Sequence, residues 1–66
     1  MKITLNGQEK ELSDALSFET IIEQFCKDTK HVIAEVNGTI VKSQQWAQKK
    51  LSHGDTVELV NFVGGG

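Results

Sequence analysis

The sequence predicts an α+β domain in which a mixed sheet of four to five strands is crossed by one main helix. Two Asn-Gly dipeptides, Asn6-Gly7 and Asn37-Gly38, each follow a strand-like segment, and one apolar stripe with helical spacing lies between them. Asn-Gly is the strongest short-range signal for a two-residue hairpin turn. A last apolar segment, 56–62, has the composition of a strand. The predicted order is therefore hairpin, helix, hairpin, irregular segment and strand.

The first hairpin is predicted from residues 1–5, where apolar and polar side chains alternate with the period of a half-buried strand. A two-residue turn at Asn6-Gly7 would place Ile3 opposite Lys10. Because Ile3 belongs to the apolar face, we expect either that the aliphatic stem of Lys10 lies along that face or that the register differs slightly.

The helix is predicted to begin after Ser17, a residue type favoured at helix N-caps. Apolar residues follow at positions i, i+3, i+4, i+7 and i+8, which form one continuous stripe on a helix. They are Phe18, Ile21, Ile22, Phe25 and Cys26. The regularity of the stripe predicts that all five side chains lie in the core.

The second half of the chain is predicted to supply the rest of the sheet. A hairpin is expected over 32–36 and 39–41, then a loop with a short helical turn from Ser43 to Leu51, then the last strand. Because that strand is apolar on most of both faces, and because the known fold with these elements has its last strand there, we place it inside the sheet, between the two hairpins. A sheet of this kind under one helix is the β-grasp, or ubiquitin-like, arrangement.

Size and composition predict one domain, residues 1–63, followed by a flexible glycine tail, 64–66. The 66 residues include seven basic and nine acidic side chains, for a net charge of −2. The basic residues are all lysine, which disfavours nucleic-acid binding because no guanidinium is present to bind phosphate or guanine. A single cysteine and the lack of a long apolar run predict a cytoplasmic protein with no disulfide and no membrane segment.

The side chains capable of catalysis are few. Cys26 with His31 or His53 could form a thiolate and its base, but Cys26 continues the core stripe, where a thiol is usually inert. One cysteine and two histidines also lack the paired spacing of a zinc site. We therefore predict no catalytic residue and no bound metal.

The last strand is expected to carry a surface for a partner. Val57 and Leu59 share one face of it, whereas Val60 and Phe62 share the other. If the helix covers the first face, the second is either an exposed apolar patch or is covered by the segment 43–51. Trp46 is expected to anchor that segment, with contact to a partner as the alternative. The predicted docking residues are Val60, Phe62, Val63, Ile33 and Trp46.

Three glycines follow this strand, and glycine loses more conformational freedom on folding than any other residue. A frayed terminus would explain them. The alternative is that the terminal carboxylate is the working group, on a tether without side chains that enters a narrow slot in another protein.

With these features the whole chain resembles the ThiS family, the small ubiquitin-like sulfur carrier proteins of thiamin biosynthesis. No single motif is specific, but their order, the length and the glycine terminus together are. The matching stretches are Asn6-Gly7, Ile21-Ile22-Glu23-Gln24, Val36-Asn37-Gly38, Gln45-Trp46-Ala47, Gly54-Asp55-Thr56-Val57-Glu58 and Phe62-Val63-Gly64-Gly65-Gly66.

The resemblance implies a carrier protein and not an enzyme. An E1-like (ThiF-type) enzyme would use ATP and Mg²⁺ to adenylate the carboxylate of Gly66, while Gly64 and Gly65 complete the tail. Sulfur from a donor such as a cysteine desulfurase would then give a thiocarboxylate, which donates sulfur to thiazole synthase (ThiG-type). The carrier itself would bind no cofactor.

Three alternatives to this function stay open from the sequence. Two share the fold: the small subunit of molybdopterin synthase, which also ends in Gly-Gly, and a ubiquitin-like modifier that is conjugated to proteins. The third is a β-grasp binding module whose glycines have no function.

Overall fold

Five strands and one α-helix make up the framework in a computed structural model, which describes residues 1–62. In chain order they are β1 (Lys2–Leu5), β2 (Gln8–Glu11), α1 (Phe18–Phe25), β3 (Val32–Val36), β4 (Thr39–Val41) and β5 (Thr56–Asn61). The strands form one sheet in the order β2-β1-β5-β3-β4. β5 pairs parallel with β1 and antiparallel with β3. The predicted mixed sheet and the central place of the last strand are both confirmed.

Both hairpins turn at the predicted Asn-Gly dipeptides. All four turn residues have positive φ, 49° and 83° at Asn6-Gly7 and 52° and 84° at Asn37-Gly38, as a two-residue turn of this type requires. The first turn places Ile3 opposite Lys10, as predicted. The ammonium of Lys10 lies 5.8 Å from the ring centroid of Phe25, so this lysine covers an aromatic ring at the end of the helix.

The asparagine side chains of these turns also hold β5 in place. The amide group of Asn6 accepts a hydrogen bond from the Leu59 backbone N–H (2.9 Å) and donates one to the Leu59 carbonyl (3.2 Å). Asn37 accepts from the Thr56 N–H (2.9 Å) and donates to the Asp55 carboxylate (3.0 Å). Each hairpin is thus joined to the central strand by side-chain as well as backbone contacts.

The helix begins at the predicted cap, where the Ser17 hydroxyl accepts a hydrogen bond from the Thr20 N–H at 3.2 Å. It packs across one face of the sheet through buried side chains of the stripe. These are Phe18, Ile21 and Ile22, with Cys26 just past the helix end. The prediction that Phe25 lies in the core was wrong, because its side chain is 42% exposed. The ammonium of Lys10, from the edge strand β2, lies over its ring.

The predicted irregular segment contains a short 3₁₀ turn, Ser43–Gln45, followed by Trp46. The indole is 5% exposed, and its N–H donates to the Val41 carbonyl at 2.9 Å. Trp46 therefore anchors the segment against the core, as the first of the two interpretations predicted. Over residues 1–62 no helix has the length and apolar character needed to cross a membrane.

Candidate functional site

The two faces of β5 differ sharply in exposure. Val57 and Leu59, which point to the helix side, are 0% and 7% exposed. Val60 is 50% exposed and Phe62, the residue after the strand, is 45% exposed. Since successive side chains of a strand alternate between faces, the central strand contributes to the core on one side and to the surface on the other.

An apolar patch lies on the outer face of the sheet, away from the helix. Its members are Ile33, Ile40, Val60 and Phe62, which we call the outer patch. Ile33 of β3 stands directly opposite Val60 of β5. Both side chains are exposed, so the alternative in which the segment 43–51 covers them is excluded. Exposed apolar side chains that lie next to each other mark sites of protein–protein contact.

Ile40 was missed in the sequence, although a signal for it exists. The two-residue turn at Asn37-Gly38 sets Ile40 opposite Glu35, and Glu35 is two residues from Ile33 on the same face. The hairpin register alone would therefore have placed Ile40 on the outer face. Its side chain is 62% exposed.

Phe62, which follows β5, contacts His31, the residue immediately before β3. The Phe62 backbone N–H donates to the His31 carbonyl at 3.0 Å. The two rings also meet edge to face, with centroids 5.8 Å apart. Phe62 is thus attached to the sheet beyond the last residue of β5.

His31 is in turn oriented by Asp28, which caps the short 3₁₀ turn Thr29–His31. The Nδ1 atom of His31 lies 2.7 Å from the Asp28 carboxylate, and the Lys30 N–H donates to the same carboxylate at 3.0 Å. The hydrogen bond from His31, followed by that from Lys30, lowers the pKa of Asp28. No sequence pattern singled out this contact, because it depends on how the loop after the helix closes.

The remaining predicted site residues are Trp46 and residues 63–66. Trp46 is in the core, which corrects the prediction that grouped it with the docking residues. Val63, Gly64, Gly65 and Gly66 lie outside the described residues.

The structure also locates the nucleophile and base considered in the sequence. Cys26 is buried, and desolvation raises the pKa of its thiol, which disfavours the reactive thiolate. His31 contacts Asp28 and Phe62, while Nδ1 of His53 accepts a hydrogen bond from the Lys2 N–H at 3.0 Å. Within residues 1–62 no three side chains of the metal-binding types come together. The feature of the described residues that matches a sequence-predicted site is the outer patch, with Ile33, Val60 and Phe62 exposed.

Comparison with known proteins agrees with this architecture. The model of the ThiS family matches residues 3–66. The sulfur carrier protein ThiS of Bacillus subtilis is 31% identical, with 97% of this chain and 98% of that protein aligned. A thiazole synthase of Paramagnetospirillum magneticum is 35% identical over all 66 residues, which span only 20% of its length.

A solved structure confirms the β-grasp fold. The crystal structure of the thiamine biosynthesis protein ThiS from Geobacter metallireducens superimposes with a TM-score of 0.84 at 25% identity, and the match covers the whole of both chains. Sequence and structure lead to the same assignment. This chain belongs to the ThiS family.

Proposed function

We propose that this protein carries sulfur for thiazole formation in thiamin biosynthesis, with the carboxylate of Gly66 as the group that is modified. Membership of the ThiS family supports the role of sulfur carrier. The observation that carries the proposal is the course of β5. This central strand has an exposed outer face and leads through Phe62 into the glycines.

The chemistry follows from the weak electrophilicity of a carboxylate. An E1-like (ThiF-type) partner, with its own ATP and Mg²⁺, joins a Gly66 carboxylate oxygen to the α-phosphorus of ATP and releases pyrophosphate. A persulfide sulfur then attacks the acyl carbon and displaces AMP, which leaves an acyl disulfide. A thiol of the partner takes up the second sulfur as a disulfide and frees the thiocarboxylate. The ionised thiocarboxylate is the sulfur nucleophile that thiazole synthase (ThiG-type) receives.

The division of labour in this scheme makes the protein a carrier and not an enzyme. Its partners supply ATP, Mg²⁺ and the sulfur donor, such as a cysteine desulfurase. Three extended glycines give the carboxylate a reach of about 10 Å beyond Val63. The absence of side chains lets this tether enter a narrow slot, and the folded domain provides the handle by which partners hold it.

Docking of the domain is required by the energetics of the tail. Ordering residues 63–66 in a slot would cost about 4–8 kcal/mol of conformational entropy. Burial of about 300 Å² of apolar surface, at about 25 cal/mol/Å², would offset this cost. Ile33, Val60 and Phe62 are exposed near the end of β5, which the tail follows in sequence, so we assign the docking to them, with Val63 continuing the contact into the slot.

Reconstitution of sulfur transfer tests the proposal. The purified chain is combined with its activating enzyme, ATP, a sulfur donor and thiazole synthase, and sulfur turnover is measured. We expect turnover that depends on the chain and is lost when Gly66 is deleted. Turnover with molybdopterin synthase in place of thiazole synthase, or conjugation of the chain to lysines, would contradict the thiamin role and support one of the alternative carriers or modifiers.

A further inference from the structure

Two glutamates face each other beside the outer patch. The register of β3 and β5 puts Glu35 directly opposite Glu58. This pair lies two residues along both strands from the Ile33–Val60 pair. All four side chains lie on the outer face, because the intervening residues Ala34 and Leu59 are buried. We call Glu35 and Glu58 the acidic pair.

This arrangement works against the stability of the isolated domain. Like charges directly opposite each other on a sheet repel, and the ion pairs formed within residues 1–62 use Asp14 and Asp28 instead. The neighbour of Glu35 on its other side is Ile40, an apolar residue of β4. Facing positions on β3 and β5 thus both carry a carboxylate on the outer face of the sheet.

A partner that places a positive charge beside the two carboxylates would relieve their repulsion and gain affinity from it. We propose that the acidic pair and the outer patch form one docking surface for thiazole synthase, which presents apolar side chains to the patch and an arginine or lysine between the two carboxylates. Successive pairs on one face are two residues apart, so the cation lies about 7 Å from the centre of the apolar contact. The inference rests on the proposed function, since it specifies the partner's chemistry at the same surface.

Two observations favour thiazole synthase as the occupant. The 35% identical relative that bears this name contains a sequence like the whole of this chain within its own length. Two parts of one chain meet at a high effective concentration, so even a weak contact between such a domain and the rest of that protein would be occupied. The net charge of this chain, −2, also suits a basic partner surface.

The first test asks whether the acidic pair destabilises the folded domain. If these glutamates stabilised the fold instead, their replacement would lower the melting temperature. Replacing one carboxylate by an amide, in Glu35→Gln or Glu58→Gln, should remove the repulsion and raise the melting temperature by about 1–6 °C. Glu9→Gln is the matched control, because Glu9 lies on the same outer face but on the edge strand β2, opposite Thr4. An unchanged or lower melting temperature in both acidic-pair variants would contradict the repulsion.

The second test measures binding to thiazole synthase from the same organism by calorimetry. The double variant Glu35→Gln/Glu58→Gln should bind about tenfold more weakly and with a smaller dependence on salt, while Glu9→Gln binds like the wild type. Equal affinity of the double variant and of Glu9→Gln would overturn the inference but leave the proposed function standing. Failure of the wild-type chain to bind thiazole synthase would overturn both. Weakened binding to the activating enzyme alone would overturn the choice of partner.

Discussion

The imidazole of His31 meets the ring of Phe62 edge to face, with centroids 5.8 Å apart and ring planes at 76°. The backbone joins the same two residues, because the Phe62 N–H donates to the His31 carbonyl. Phe62 precedes Val63 and the glycines in the chain, and two independent contacts hold it against His31 at the end of β5.

Removing the imidazole should weaken recognition without affecting the chemistry. In His31→Ala the Phe62 side chain loses its neighbour and must be ordered on docking, which should raise the KM of the activating enzyme for the carrier about threefold to tenfold. We expect kcat to stay within about twofold. Pyrophosphate exchange at varied carrier concentration measures both constants.

Two further variants define this effect. His31→Phe keeps a ring beside Phe62 and should recover most of the affinity. His53→Ala removes the other histidine, at the opposite end of β5, and should leave KM unchanged. A KM for His31→Ala that equals the wild-type value would show that the ring contact has no part in docking.

Asp28 should make stability dependent on pH in the acid range. Its hydrogen bonds in the folded state lower the pKa below the ordinary value of 3.8. A carboxyl group with a lowered folded pKa stabilises the protein above its unfolded pKa and loses that contribution as pH falls through the folded one. The stability difference between wild type and Asp28→Asn should therefore be full at about pH 7 and vanish towards about pH 2.

Urea unfolding of both proteins at several pH values measures this difference. Because His31 is the main hydrogen-bond partner of Asp28, the same comparison in a His31→Ala background should give a smaller effect. Unfolding midpoints for wild type and Asp28→Asn that run parallel from neutral to acid pH would contradict this assignment.

The side chain of Asn6 should contribute to stability beyond its role in the turn. Asn6→Gly keeps the positive φ but loses both hydrogen bonds to the backbone of Leu59. We expect the free energy of unfolding to fall by about 1–2 kcal/mol. Asn37→Gly makes the same change of residue at the other turn, where the lost hydrogen bonds are exposed, and should cost less. Equal urea unfolding midpoints for the two variants would contradict the prediction that Asn6→Gly is the more destabilising change.

Bulk in the tail should block activation without harming the fold. Gly65→Val adds a branched side chain to a segment that the proposed function inserts into a narrow slot, so ATP–pyrophosphate exchange should be lost. The melting temperature should be unchanged, because the position follows the last described strand. Ala47→Val places a comparable side chain at an exposed position of the segment 43–51 and should be activated normally. Normal exchange with Gly65→Val would refute the slot.

Local signals predicted much of the fold. Asn-Gly turns and alternation determine both hairpins because the positive φ values and the two-residue period are properties of the chain itself. The central place of β5 was predicted from its apolar side chains on both faces together with the known arrangement of the β-grasp fold. The sequence left open whether Ile33, Val60 and Phe62 are exposed or covered by the segment 43–51, and the structure shows that they are exposed.

Features that depend on distant partners were harder to predict. Helical spacing put Phe25 on the apolar stripe, but whether that position is covered depends on the edge strand that reaches it, which supplies Lys10. The residue type of Asn6 indicated a turn and gave no sign of its bonds to Leu59. The pairing of Glu35 with Glu58 requires the register of strands that are distant in sequence.

The mass of the intact protein tests the central claim most directly. The purified chain, with Gly66 verified as its last residue, is incubated with the activating enzyme, ATP and a sulfur donor. Replacement of one oxygen by sulfur predicts a gain of about 16 Da, which fragmentation should locate at Gly66 and which should be absent without ATP. An unchanged mass under conditions in which the enzyme activates a known sulfur carrier, or a gain located elsewhere in the chain, would contradict the proposed function.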